Sequence, residues 1–129
     1  MVRTIMAIMA GFAAFAAVAG IAALTARAGW PAYTAVEKQR AYTLGMYLMR
    51  LAVGMVATLA TGATTAWVDR GAKRTVLIAG VLLLLISAVH HIRIWEQYPA
   101  WYHLFYLAYL IPLTVLGGNL FGTKEAPHV

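Results

Sequence analysis

Cysteine is absent from the 129 residues. That excludes structural disulfides, thiolate zinc or iron–sulfur sites and dithiol relays, so any metal would need histidine or carboxylate ligands. Charge is scarce as well: Asp, Glu, Lys and Arg make up 11% of the chain, against roughly 25% in an ordinary soluble domain. Acid is scarcest, being confined to Glu37, Asp69, Glu96 and Glu125, which offers no pair of carboxylates set up for general acid–base work. A phosphate-cradling glycine loop and a serine nucleophile with its base and acid are missing too. Hydrolysis and phosphoryl transfer are therefore disfavoured, and no catalytic residue is assigned.

What the chain has in abundance is apolar surface, with 63% of its residues hydrophobic. Its length suits one domain. The net charge of +6 would suit a nucleic acid if the bases gathered on one stripe or arm. Instead Lys and Arg stand one to three at a time between apolar runs, where membrane proteins flank their spans. The expected partner is the lipid bilayer, not nucleic acid.

About 20 apolar residues are needed to cross roughly 30 Å of hydrocarbon. Four segments qualify, from about Thr4 to Ala26, Thr43 to Ala66, Val76 to Ile94 and Trp101 to Phe121, and none contains an acidic residue. The breaks have loop chemistry: Gly29-Trp30-Pro31 with Glu37, Lys38 and Arg40, then Asp69-Arg70-Gly71 with Lys73 and Arg74, then Glu96 and Pro99. Arg3, an apolar run and Ala26-Arg27-Ala28 imitate a secretory signal. The run from Ile5 to Leu24 is longer than a signal core, so a retained helix is expected. The expected fold is an all-α integral membrane four-helix bundle, up-and-down with short loops. One domain covers residues 1–123, and 124–129 form a short tail.

An even number of spans puts Arg3, Arg70, Lys73, Arg74 and Lys124 on one side, and Arg27, Lys38, Arg40 and Arg93 on the other. Three of the first group crowd into one short loop, which predicts both termini in the cytoplasm, as in a bacterial inner membrane. Aromatic residues are lopsided. Trp30, Tyr33, Tyr42, Trp95, Tyr98, Trp101 and Tyr102 mark the outer boundary and Trp67 alone the inner one, forming either an anchoring belt or the rim of a binding site.

Gly54, Thr58 and Gly62 continue a four-residue spacing from Arg50 and so share one helical stripe. Small residues there admit another backbone closely, within the bundle or between copies in a homo-oligomer. The first segment, rich in small residues such as Ala7, Gly11, Ala13 and Gly20, suits the bundle centre. Pro112 falls inside the last segment, and Gly117-Gly118-Asn119 reads as its end.

Arg50 is the most informative residue, about seven positions inside the second segment and roughly 10 Å below its outer boundary. At that depth a guanidinium snorkels, pairs with Glu96 or Glu37, or holds a ligand anion. Near it in an up-and-down bundle would stand His90, His91, Arg93, Glu96, His103 and Tyr106. The histidines could hydrogen-bond to neighbours at the interface, or touch a lipid or quinone head group. His103 with His90 or His91 could also ligate haem, and His91, Glu96 and His103 a metal ion. Nothing in the spacing requires a cofactor or metal. The leading reading is a small non-enzymatic membrane protein that binds a lipid-like ligand or a partner membrane protein through its helix faces and this outer cluster. The alternatives are a haem- or quinone-binding redox module and an anion pore or transporter.

Overall fold

The computed structural model describes residues 2–37, 42–70 and 72–121, and all regular structure among them is helical. Four long helices form the bundle: α1 (Val2–Gly29), α3 (Leu44–Val68), α4 (Lys73–Arg93) and α5 (Ala100–Phe121), with a short α2 (Pro31–Glu37) after α1. Each long helix is long and apolar enough to cross a membrane, with mean hydropathy between 1.3 and 2.3. By length and composition this is a multi-pass membrane protein. The tail at 124–129, with His128, lies outside the described residues, as do Lys38, Arg40, Gly71 and the side chain of Glu37.

The first break is not the loop that Gly29, Trp30 and Pro31 suggest. Only Trp30 interrupts the helix, because proline is well suited to a first helical position, where its fixed φ fits and its missing N–H is not needed. The chain stays tied across the break: the Trp30 N–H donates to Ala26 O (2.9 Å) and the Thr34 hydroxyl to Arg27 O (2.8 Å). Tyr33 is thereby turned inward and is 4% exposed. At the start of α3 the Thr43 hydroxyl caps the helix by accepting from the Met46 N–H at 3.3 Å. The turn into α4 is short, held by the Thr75 hydroxyl donating to the Asp69 carboxylate and the Ala72 N–H to Asp69 O. Beyond α4, a single 3₁₀ turn, Trp95–Gln97, leads through Pro99 into α5.

The central helix is α3, not α1. It packs against α5, α1 and α4, and its buried stripe includes Gly54, Thr58, Gly62, Thr65 and Ala66. In α1 only Ala7 and Gly11 are buried, while Ile5, Met9, Ile21 and Leu24 are exposed. Small residues let α1 lie close to α3, where a Cβ on Gly11 would come within 2.9 Å of Thr61 O. They carry little area of their own to bury, so the large side chains of α1 are left facing outward.

Close approach governs the α3–α5 contact. A Cβ on Gly62 would meet the Thr114 carbonyl carbon at 2.8 Å and the Gly118 nitrogen at 2.9 Å. One on Gly117 would meet the Leu59 backbone at 2.9 Å. Gly117 and Gly118 therefore do not end α5, which runs on to Phe121 through Pro112; they let two backbones touch. The polar members of this interface satisfy themselves locally. The hydroxyls of Thr58, Thr61, Thr65 and Thr114 each donate to the carbonyl four residues earlier, at 2.6–2.9 Å. Fully buried threonines thus leave no orphan hydroxyl in the apolar interior.

This geometry predicts a contrast between two glycines. Gly62→Ala should destabilise the bundle by about 1–3 kcal/mol, because backbone rather than a flexible side chain blocks the new methyl. Gly20 has nothing within 4 Å of a built Cβ, so Gly20→Ala should be neutral or stabilising by up to about 1 kcal/mol. Thermal unfolding in detergent measures both, and equal effects would contradict the packing described.

Candidate functional site

The end of the bundle carrying α2 and the α4–α5 connection is built around Arg50. Its Nη1 donates to the Tyr33 hydroxyl at 2.6 Å, Nε to Tyr102 at 3.2 Å and Nη2 to Tyr98 at 3.3 Å. Those tyrosines come from three places in the chain: α2, the start of α5 and the segment between α4 and α5. The guanidinium also lies 5.1 Å from the Tyr42 ring centroid and 5.4 Å from that of Tyr98, within range of cation–π attraction. Glu96 is exposed, and among the described residues no carboxylate pairs with Arg50. The Arg50–Glu96 ion pair expected from the sequence is replaced by phenols, and the alternative partner, the Glu37 side chain, lies outside the described residues.

The phenols are ordered among themselves. Tyr33, Tyr42, Tyr98 and Tyr102 form a continuous row with centroid spacings of 5.2, 6.1 and 5.0 Å and interplanar angles of 22°, 8° and 18°. Tyr47 packs edge-on against Tyr42 and Tyr98. Burial pushes the Tyr42 hydroxyl well above the ordinary tyrosine range against the opposing pull of Arg50, so that ring stays neutral at physiological pH. The sequence presents these residues as a boundary belt, yet Tyr33 and Tyr102 are buried at 4% and 3% exposure. A clue was available in the composition: seven tyrosines, one arginine deep in a span, and no acid within any span to meet it. Each tyrosine oxygen can accept while its hydroxyl donates elsewhere.

The histidines divide. His90 is exposed and His91 is buried, as expected of neighbours about 100° apart on a helix. The Nδ1 atoms of His91 and His103 lie 2.7 Å apart, and His103 Nε2 is 2.9 Å from Trp95 O. Tyr106 lies against His91, with ring centroids 4.6 Å apart, and Trp95 stacks on His103 at 4.5 Å and 16°. Two imidazoles hydrogen-bonded to each other leave no space between them for a haem iron. With Glu96 exposed, His91, Glu96 and His103 do not assemble as a metal-ligand set, and no such trio occurs among the described residues. Arg93 is also on the surface. The structure thus gathers Arg50, His91, His103 and Tyr106 and leaves His90, Arg93 and Glu96 at the periphery. Gly54 joins the first group, since a Cβ there would meet the Tyr106 ring at 2.9 Å, while Thr58 and Gly62 lie further along α3.

Two hollows border this cluster. One, of about 300 Å³, includes residues of α1 and α3 and is lined by Arg27, Arg50, Tyr33 and Tyr102 together with apolar residues. The other, of about 370 Å³, is lined by α1 and α4 side chains and Tyr106. No protein-family model matches the chain, and no curated protein or solved structure is similar to it.

Because a lysine cannot reproduce the guanidinium fork, Arg50→Lys should cost about 2 kcal/mol, the order expected for losing hydrogen bonds to a charged group. Combined with Tyr33→Phe its effect should be clearly less than additive, whereas Glu96→Gln should be silent alone and additive in combination. Denaturant titration in mixed micelles separates these cases. Coupling to Glu96 instead of Tyr33 would restore the ion-pair reading.

Proposed function

We propose that the protein is a non-enzymatic membrane component that holds an amphiphile with an anionic head group in the hollow between α1 and α3. The observation that supports this reading is the composition of that hollow. Arg50 lines it with its guanidinium held by neutral phenols, no carboxylate is among its described lining residues, and Ala19, Ala22, Ala23 and Val53 supply an apolar body. Guanidinium groups match phosphate and carboxylate oxygens in charge and in geometry. An ionisable group within a span is costly unless something is gained from it, and about 300 Å³ is at the lower end of ligand-sized pockets. A head group at Arg50, with acyl chain along the alanines, satisfies both ends.

The wider setting belongs to the same proposal. The four helices are read as one domain over residues 1–123 with a tail at 124–129, in a bacterial inner membrane. Arg70, Lys73 and Arg74 face the cytoplasm together with both termini, and the arginine hollow faces the other side. Support for this orientation comes from the crowding of those three bases around the turn from α3 into the first residues of α4. Reporter fusions at either terminus and at residue 70 should read cytoplasmic, and fusions at 30 or 97 the opposite. A terminus on the far side would reverse the assignment.

Native mass spectrometry from mild detergent tests the ligand. The protein should retain an anionic phospholipid in preference to a zwitterionic one of equal chain length, and Arg50→Gln should lower that retention at least tenfold with helical circular dichroism unchanged. Retention indifferent to head-group charge, or no retained lipid at all, would overturn the reading.

A further inference from the structure

The second hollow carries an inference that does not depend on the arginine site. It is lined by Phe12 and Phe15 of α1, Leu83, Ile86 and His91 of α4, and Tyr106 of α5, with the half-buried Ser87 and the exposed His90 also on its wall. Its single buried polar group is the imidazole of His91, which is 4% exposed.

The state of that imidazole follows from its neighbours. Trp95 O is a carbonyl and can only accept, so His103 Nε2 must carry the hydrogen of their 2.9 Å contact. In an uncharged His103 the other nitrogen, Nδ1, is then a bare acceptor. For two uncharged rings, the 2.7 Å contact between the Nδ1 atoms then makes His91 Nδ1 the donor. An uncharged His91 with its hydrogen on Nδ1 has a bare lone pair on Nε2. Among the described residues no hydrogen bond reaches that nitrogen, yet none of their buried polar side-chain atoms is without a partner. Nε2 is therefore reached from outside the core, and His91 lines the hollow.

We propose that this hollow binds the hydroquinone head of a membrane-soluble quinol, whose phenolic O–H donates to His91 Nε2. Three features select that chemistry. At the one buried polar side chain of the lining, a bare imidazole nitrogen accepts, so it pairs with the hydroxyl of the reduced ring and not with the carbonyl of the oxidised one, while the donors Ser87, His90 and Tyr106 lie on the less buried part of the wall. Phenyl and phenol rings from two helices form the walls, which suits a flat aromatic ring in stacked or edge contact. Leu83, Ile86 and the exposed apolar surface beside them suit a hydrocarbon tail, and about 370 Å³ is of ligand size. The proposal concerns binding alone.

Titration of detergent-purified protein with a short-tailed hydroquinone and, separately, its benzoquinone, under anaerobic conditions, tests it. Histidine ¹⁵N resonances report the His91 nitrogen directly. Saturable one-to-one binding of the hydroquinone should shift the His91 Nε2 resonance, and the benzoquinone should bind at least tenfold more weakly. His91→Phe should lower hydroquinone affinity at least tenfold. Since that change also strips His103 of its partner, Phe12→Trp provides an independent variant that fills the hollow without touching a polar group. It should abolish binding while leaving the histidine resonances of the free protein in place. Arg50→Gln should release anionic lipid without moving hydroquinone affinity, so the two sites fail or stand separately. Equal affinity for both oxidation states, no saturable binding by the folded protein, or undiminished binding by Phe12→Trp would overturn the proposal.

Discussion

An arginine does not give up its proton inside a protein, so a guanidinium on a helix of membrane-spanning length has to be solvated by its neighbours. Here the solvent is a set of phenols. Three tyrosine oxygens take its hydrogens and two tyrosine faces lie within cation–π range, which supplies electron density without introducing a second charge. A carboxylate would neutralise the arginine but would itself need desolvating. Neutral acceptors leave the site positive. The proposed anion selectivity of the adjoining hollow rests on that residual charge, and the hydrogen bonds of Arg50 tie α2, α3 and the start of α5 to one another.

Away from Arg50 the bundle follows a different rule. Glycines at 11, 62 and 117 bring backbones into contact, and buried threonines return their hydroxyls to their own helices. Among the described residues no buried polar side-chain atom here is left without a hydrogen-bond partner. The aromatic half is built from large rings whose shapes cannot close every gap, and both hollows touch that half through Tyr106. The division between a close-packed end and a perforated end is thus set by side-chain size along α3 and α5.

The spans were legible because apolar length is a local, additive property, and the helices lie where that length put them. Arg50 stood out for the same reason, as a charge within an apolar window. Its partners did not, because phenol oxygens from residues 33, 98 and 102 converge only once α2 has formed, and Pro31 was read as a breaker when it occupies a first helical position. The centrality of α3 was missed because small residues signal close approach without saying which helix is surrounded. His90 and His91 were separable by helical rotation alone. The contact of His91 with His103, twelve residues on, depends on the 3₁₀ turn between α4 and α5, which leaves no periodic trace in the sequence.

Phe15 and Tyr106 line both hollows. They are a party wall, one ring from α1 and one from α5, with a cationic chamber on one side and an aromatic chamber on the other. A bulkier side chain at position 15 would narrow both chambers at once, whereas a change at Arg50 or at Phe12 reaches only one of them.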